Sequence, residues 1–105
     1  MYITIMFKKP SLDSYTIYTK SQCSYCDKVK VLLAGKNPQP VIINCDDYLV
    51  NDRSGFLSFI KQLAKKDHAT FPIVFEKGVF IGGYDQTKRR IDESNDDRFV
   101  IDMNF

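Results

Sequence analysis

The sequence predicts an α/β fold, a four-stranded mixed sheet flanked by three helices, with short extra strand-like segments at both termini. Three observations lead there. Residues 15–19, 24–34 and 41–45 read as strand, helix and strand, the proportions of a βαβ unit with parallel strands and a right-handed crossover. A second helical run ending near Ala64 is followed by two short apolar stretches around a tight turn, the pattern of an antiparallel hairpin. Two cysteines, Cys23 and Cys26, stand where the first strand hands over to the first helix.

Taken in order, residues 2–7 are β-branched or large and apolar and read as a strand, which Lys8-Lys9-Pro10-Ser11 ends. The short link to the next strand, 15–19, has the length of a hairpin connection. The first segment is expected either to extend a sheet edge or to pair with the tail near 99–103. The helix from Ser24 to Ala34 places Val29, Leu32 and Leu33 on an apolar face. Gly35 supplies its stop, and Pro38 and Pro40 prevent its continuation. Val41 to Cys45 reads as a short, fully buried strand ended by Asp46-Asp47.

The second helix is capped by Asp52 or Ser54 and carries Phe56, Leu57, Phe59, Ile60, Leu63 and Ala64 at helical spacing, a stripe that belongs to the core. Phe71 to Phe75, the turn Glu76-Lys77-Gly78 and Val79 to Ile81 form the hairpin. Gly82-Gly83 breaks the strand pattern and leads into a last helix over about Tyr84 to Asp92. The tail alternates Phe99, Ile101, Met103 and Phe105, which reads as a strand.

Composition narrows the function classes. A chain of 105 residues holds one core, so residues 1–105 are expected to be a single domain with its centre at about 14–92. With 44% hydrophobic and 27% charged residues it belongs to the globular class, and no apolar run approaches the roughly 20 residues that span a bilayer. The net charge of +2 comes from basic residues scattered among acids, a solvated surface rather than a nucleic-acid patch. Neither nucleic acid nor membrane is an expected partner. The first ten residues lack a secretory pattern, and with three cysteines a reducing, cytoplasmic location is expected.

The cysteine pair carries chemistry that a small core does not require. At the start of a helix, unpaired N–H groups and the positive end of the dipole favour an anion, which lowers the Cys23 thiol toward thiolate. Cys26, three residues on, shares a helical face with it and is placed to attack a mixed disulfide formed there. Zinc is disfavoured, since a site needs about four ligands and the remaining soft donors are Cys45 and His68. A structural disulfide framework is also weak with three cysteines. Cys45, at the end of a buried strand, reads as a packed small hydrophobe, and His68 as a surface loop residue.

Lys20-Ser-Gln-Cys23-Ser-Tyr25-Cys26, then Thr70-Phe71-Pro72, then Gly82-Gly83-Tyr84-Asp85 resemble, in this order, the motifs of the glutaredoxin family, with a thioredoxin-like fold over about residues 14–92. Each motif alone has an ordinary reading: a solvated lysine, a strand-initial proline, a glycine turn. Their joint spacing around Cys-x-x-Cys is what carries the resemblance. Thioredoxins usually show Cys-Gly-Pro-Cys preceded by tryptophan, and this chain has no tryptophan.

The resemblance implies a dithiol oxidoreductase in which Cys23 and Cys26 are catalytic and glutathione is the reducing co-substrate. Lys20 reaches the glycine carboxylate, and Tyr25 lines the groove beside Cys23. Thr70, Phe71 and Pro72, a cis-proline in the family, present backbone to the cysteinyl unit as a strand edge would. Gly82 and Gly83 permit close approach, and Gly83, Tyr84 and Asp85 hold the γ-glutamyl end at a helix start. Clients would be disulfide-containing or glutathionylated proteins, and the chain is expected to be a monomer.

Some positions depart from the family. Ser24 replaces the commonest proline, Phe71 a valine and Gln86 an acid, while the loop Lys65 to Ala69 is slightly long. The helix position that often holds a glutathione-contacting Gln or Arg falls near Leu57, for which Lys61 is a substitute. The resemblance also admits a carrier of a [2Fe-2S] cluster, held by the Cys23 thiolates of two subunits and two glutathiones. A redoxin reduced directly by a reductase is a third reading, against which Lys20 and the Gly82-Gly83-Tyr84-Asp85 motif argue.

Overall fold

The computed structural model describes residues 6–103, with side chains through Glu93. The elements run β1 (Tyr15–Thr19), α1 (Ser24–Leu33), β2 (Val41–Asn44), α2 (Asp46–Ala64), β3 (Ile73–Glu76), β4 (Val79–Gly82) and α3 (Tyr84–Met103). The sheet order is β2-β1-β3-β4. β1 lies parallel to β2 with Tyr18 beside Ile43, and antiparallel to β3 with Tyr18 beside Ile73. β1 is therefore interior, and Cys23 follows directly from the most enclosed strand.

The pleat separates the core into two halves, because successive residues on a strand face opposite ways. Tyr18, Ile43, Ile73 and Phe75 pack with Phe56 and Ile60 of α2 on one face. Ile17 and Val74 pack with Val29 and Leu33 of α1 on the other, joined by Tyr84 and Ile91 of α3. The α2 stripe is core, as its spacing predicts.

Five local expectations are corrected. β2 is not fully buried: it is an edge strand in which Ile43 alone is buried, and Ile42 is 52% exposed. Ile42 sits beside Ile17 on the α1–α3 side, and those helices cover the middle of the sheet without reaching its edge.

The helical run before β3 begins at Asp46, earlier than its apolar stripe, and kinks at Asp52 (φ −159°, ψ 69°). Asp52 is nonetheless the expected cap, because its Oδ1 accepts the Gly55 N–H at 3.0 Å. α1 ends at Leu33 with Ala34 still in a right-handed conformation. Its last donors close short turns, the Ala34 N–H on Val31 O and the Lys36 N–H on Leu33 O, so the stop does not use Gly35 in a left-handed cap.

The tail does not form the expected strand. α3 runs past Asp92 to Met103, so 99–103 are helical, while 104–105 lie outside the described residues. Extending an existing helix adds a hydrogen bond for each residue fixed, which a fresh strand without a partner cannot match. Of the first predicted strand, residues 2–5 lie outside the described residues, and Met6 and Phe7 are not in a strand. Phe7 instead packs on α2, its ring 5.0 Å from Tyr48, 5.5 Å from Phe56 and 5.3 Å from Phe59.

Candidate functional site

Cys23 is the N-cap of α1 in extended conformation (φ −128°, ψ 99°), and the Cys26 N–H donates to its Sγ at 3.2 Å. A sulfur there receives a backbone donor and faces the positive end of the helix, which stabilises a thiolate over a thiol. Cys23 and Cys26 form a disulfide with Cα atoms 5.3 Å apart. Cys23 is part-exposed and Cys26 is fully buried. An incoming sulfur therefore meets Cys23, with Cys26 behind it.

A groove of about 390 Å³ opens at Cys23 and is lined by Lys20, Gln22, Tyr25, Arg53, Thr70 and Phe71. A second hollow, of about 380 Å³, shares Tyr25, Thr70 and Phe71 and continues along Pro72, Gly83, Tyr84 and Asp85. The two share a wall and make one channel past the cysteine. Of the residues that the sequence motifs single out, Lys20, Cys23, Tyr25, Thr70, Phe71, Pro72, Gly83, Tyr84 and Asp85 line it, whereas Cys26 and Gly82 are buried. Lys20, Tyr25 and Asp85 are exposed, Phe71 and Tyr84 part-buried, and the Phe71–Pro72 peptide is cis, as the resemblance implies.

The local sequence explains each wall. Tyr25 projects from the first turn of α1 and Tyr84 from the first turn of α3, with ring centroids 5.6 Å apart. Lys28 Nζ stands 4.7 Å from the Tyr25 centroid, within cation–π reach. At the far end the Gly83 N–H donates to Gln86 Oε1 at 2.9 Å and the Thr87 hydroxyl to Gly83 O at 2.8 Å. Gln86, in place of a second acid, thus closes the helix start as a capping residue. Tyr84 and Asp85, in the first turn of α3, line the channel end, and the N–H groups of a helix's first turn are ready donors for an anion. Gly82 is at φ 135°, a conformation open to glycine, and a Cβ there would crowd Gln86.

The structure revises three residues near the channel and bears out a fourth. Arg53, which sequence reasoning missed, lines it beside Lys20 and Cys23. It begins the segment of α2 that Asp52 caps, so the kink places it; Asp52 ahead of a helical stripe is the signal that points to it. Leu57 packs against the core, as its place in the stripe predicts, whereas Lys61 is paired with Asp67 at 3.3 Å and does not line the channel. His68 is not a solvated loop residue. It is half-buried against Phe80, ring centroids 5.2 Å apart, and lines the second hollow.

Other features separate from this chemistry. A hollow of about 460 Å³ lies at the other end of β1, walled by Asp13, Tyr15, Lys36, Glu76, Lys77 and Arg90. It contains no cysteine, and its Arg90 and Glu76 are already paired. Cys45 is fully buried with its thiol toward Ile43 O at 3.6 Å, as a packed hydrophobe should be. Among the described residues no three His, Cys, Asp or Glu side chains group as a metal site, and no helix is long and apolar enough to cross a membrane.

The family model described as glutaredoxin matches residues 15–81, which span the cysteine pair, the cis-proline and the hairpin. Among curated proteins no match is found. Glutaredoxin 1 of Francisella tularensis, solved with cacodylate, is 27% identical over 78% of this chain and 95% of its own, with a TM-score of 0.65. The holo form of glutaredoxin C1 from Populus tremula x tremuloides is 26% identical over 79% and 78%, with a TM-score of 0.63. A buckwheat glutaredoxin–glutathione complex, 24% identical over 78% and 71% with a TM-score of 0.64, shares the fold. The four-stranded mixed sheet with three helices is the thioredoxin-like arrangement of these neighbours.

Proposed function

From the premise that this chain belongs to the glutaredoxin family and is a thiol–disulfide oxidoreductase, we propose that glutathione is its reducing co-substrate and that its clients are protein disulfides and protein–glutathione mixed disulfides. The observation that carries this reading is the channel, which starts between two cations, Lys20 and Arg53, passes Cys23 and ends at the start of α3. An extended tripeptide with a carboxylate at each end matches that order of groups.

In this reading Lys20 and Arg53 take the glycine carboxylate. Thr70 and Phe71, before the cis Pro72, offer backbone to the cysteinyl unit, and Tyr25 covers it. The first turn of α3 takes the γ-glutamyl carboxylate, with Asp85 near the ammonium. The Cys23 thiolate attacks the glutathione sulfur of a mixed disulfide; the bond between Cys23 and glutathione forms as the client thiolate leaves and takes a proton from water. A second glutathione thiolate then attacks the bound glutathione sulfur, which releases glutathione disulfide and restores the Cys23 thiolate. With a protein disulfide, Cys23 first forms a mixed disulfide with the client. Cys26 then attacks Cys23 Sγ, forms the Cys23–Cys26 bond and expels the second client thiol.

An iron–sulfur role draws no support from this geometry. One protomer presents Cys23 as its accessible sulfur, so a cluster would require a second copy, whereas the buried Cys26 behind Cys23 suits disulfide exchange. A reducing cytoplasm fits the same chemistry. The deciding experiment follows turnover of a low-molecular-weight disulfide with glutathione, glutathione reductase and NADPH, beside the same disulfide with thioredoxin reductase and NADPH. Turnover that requires glutathione is expected. Turnover with the thioredoxin reductase couple and none with glutathione would overturn the reading.

A further inference from the structure

The loop that presents Cys23 is tied to α2 through one carboxylate. The Ser21 N–H donates to Asp46 Oδ1 at 2.9 Å, and the Ser21 hydroxyl donates to Asp46 Oδ2. Asp46 is the first residue of α2, where the helix dipole favours a negative charge. It is itself held, since its N–H donates to Asn44 Oδ1 at 2.9 Å, while the preceding Cys45 N–H donates to Thr19 O at 2.7 Å. The carboxylate is thus fixed to β1 and β2 before it grips the loop.

The next residue shows what the grip is for. Gln22 is at φ 55°, a left-handed conformation that is unfavourable for a residue with a Cβ. Such a conformation persists where its surroundings hold it. Gln22 lies between Ser21, fixed to Asp46, and Cys23, whose Sγ accepts the Cys26 N–H. Released from Asp46, Gln22 is free to relax to an extended conformation, which turns the Cys23 Cα–Cβ bond away from the N-cap position. The sulfur then loses its backbone donor and part of the dipole.

We propose that Asp46 is a positioning residue for the nucleophile, holding Ser21 through two hydrogen bonds so that Gln22 keeps its left-handed turn and Cys23 stays at the N-cap of α1. The Asp46 carboxyl lies below its ordinary range, chiefly through the hydrogen bonds from Ser21 and with help from Lys20, so it is ionised at neutral pH and both oxygens accept. The inference rests on Cys23 as the exposed nucleophile and not on the identity of the reductant, so its test needs no glutathione.

The test measures iodoacetamide alkylation of Cys23 across pH, by peptide mapping of the full chain after reduction and removal of the reductant. Asp46→Ala removes both acceptors. The pH midpoint should rise, and the rate near pH 7 should fall by roughly three- to tenfold, the equivalent of one lost hydrogen bond. Asp46→Asn keeps an acceptor for the Ser21 N–H, and its amide can donate to the Ser21 hydroxyl oxygen, so its profile should stay within about twofold of the parent. An Asp46→Ala profile that superimposes on the parent would overturn the proposal. Equal shifts in the Ala and Asn variants would also overturn it, since the Asn side chain keeps the acceptor for the Ser21 N–H. If Asp46→Ala does not fold, Ser21→Ala replaces it and must shift the midpoint upward; an unchanged profile then counts against the proposal.

Discussion

Phe71 stacks on Phe56, ring centroids 6.2 Å apart and planes within 10° of each other. Phe71 lines the channel beside Cys23, whereas Phe56 is fully buried at the centre of the α2 face. The valine common at position 71 in the family would leave this stack unmade. The channel wall here is an outward continuation of the core.

This contact separates stability from chemistry. Phe56→Ala should destabilise the fold by about 3–5 kcal/mol, the range for deleting a buried aromatic ring. Phe71→Val should cost about 1 kcal/mol, since it removes an aromatic pair at the core margin. Urea midpoints with unchanged slopes would give both values. A Phe71→Val loss as large as that of Phe56→Ala would show that the wall is part of the core proper.

Removal of one sulfur should divide the two proposed reactions. Cys26→Ser leaves Cys23 at the N-cap and should keep reduction of glutathione mixed disulfides within a few-fold, while slowing protein dithiol disulfides by about tenfold or more. Cys23→Ser should abolish both. Loss of both activities in Cys26→Ser, with the fold intact by circular dichroism, would show that glutathione cannot resolve the intermediate.

The kink in α2 is a further target. Asp52→Ala removes the acceptor for the Gly55 N–H and should cost about 1 kcal/mol. It should also raise the KM for glutathione, because Arg53 starts the capped segment. Gly→Ala inside a helix ordinarily stabilises by up to about 1 kcal/mol. Here a Cβ at Gly55 overlaps the Asp52 carboxylate, so Gly55→Ala should bring no gain in the urea midpoint. A gain of the full propensity would show that the cap contributes nothing.

Cys45 should make the fold sensitive to alkali. Burial, with a smaller push from Asp46, raises its thiol up to about 12, whereas an unfolded thiol titrates near about 8.5. Between these values the unfolded chain loses a proton that the folded chain keeps. Stability is therefore fully present below the unfolded value and falls as pH rises toward the folded one. With Cys23 and Cys26 both replaced by Ser, the urea midpoint should drop between pH 7.5 and 10.5, and Cys45→Val should reduce that drop. Burial, with a smaller push from Cys45, also raises the Tyr18 hydroxyl, so part of the drop remains in Cys45→Val. An identical drop with and without Cys45 would remove the thiol from the account.

Much of this protein is determined by local pattern. Cys-x-x-Cys between a strand and a helix, the turn at Glu76-Lys77-Gly78 and the α2 stripe are short-range signals, so the order of the central elements and the cysteine pair could be read from the sequence, while Lys20, Tyr25, Thr70, Phe71, Pro72, Gly83, Tyr84 and Asp85 came from the resemblance of three motifs to glutaredoxins. Tertiary structure alone decided the rest. The apolar run of β2 does not say that it would lie at an edge, since that depends on which strands pair. The alternation of the tail does not say that α3 would run through it. Arg53 and His68 join the channel because a kink and a ring contact turn them toward it, and Asp46 reaches Ser21 across 25 positions of chain. Such contacts depend on how finished elements pack, and no local spacing encodes them.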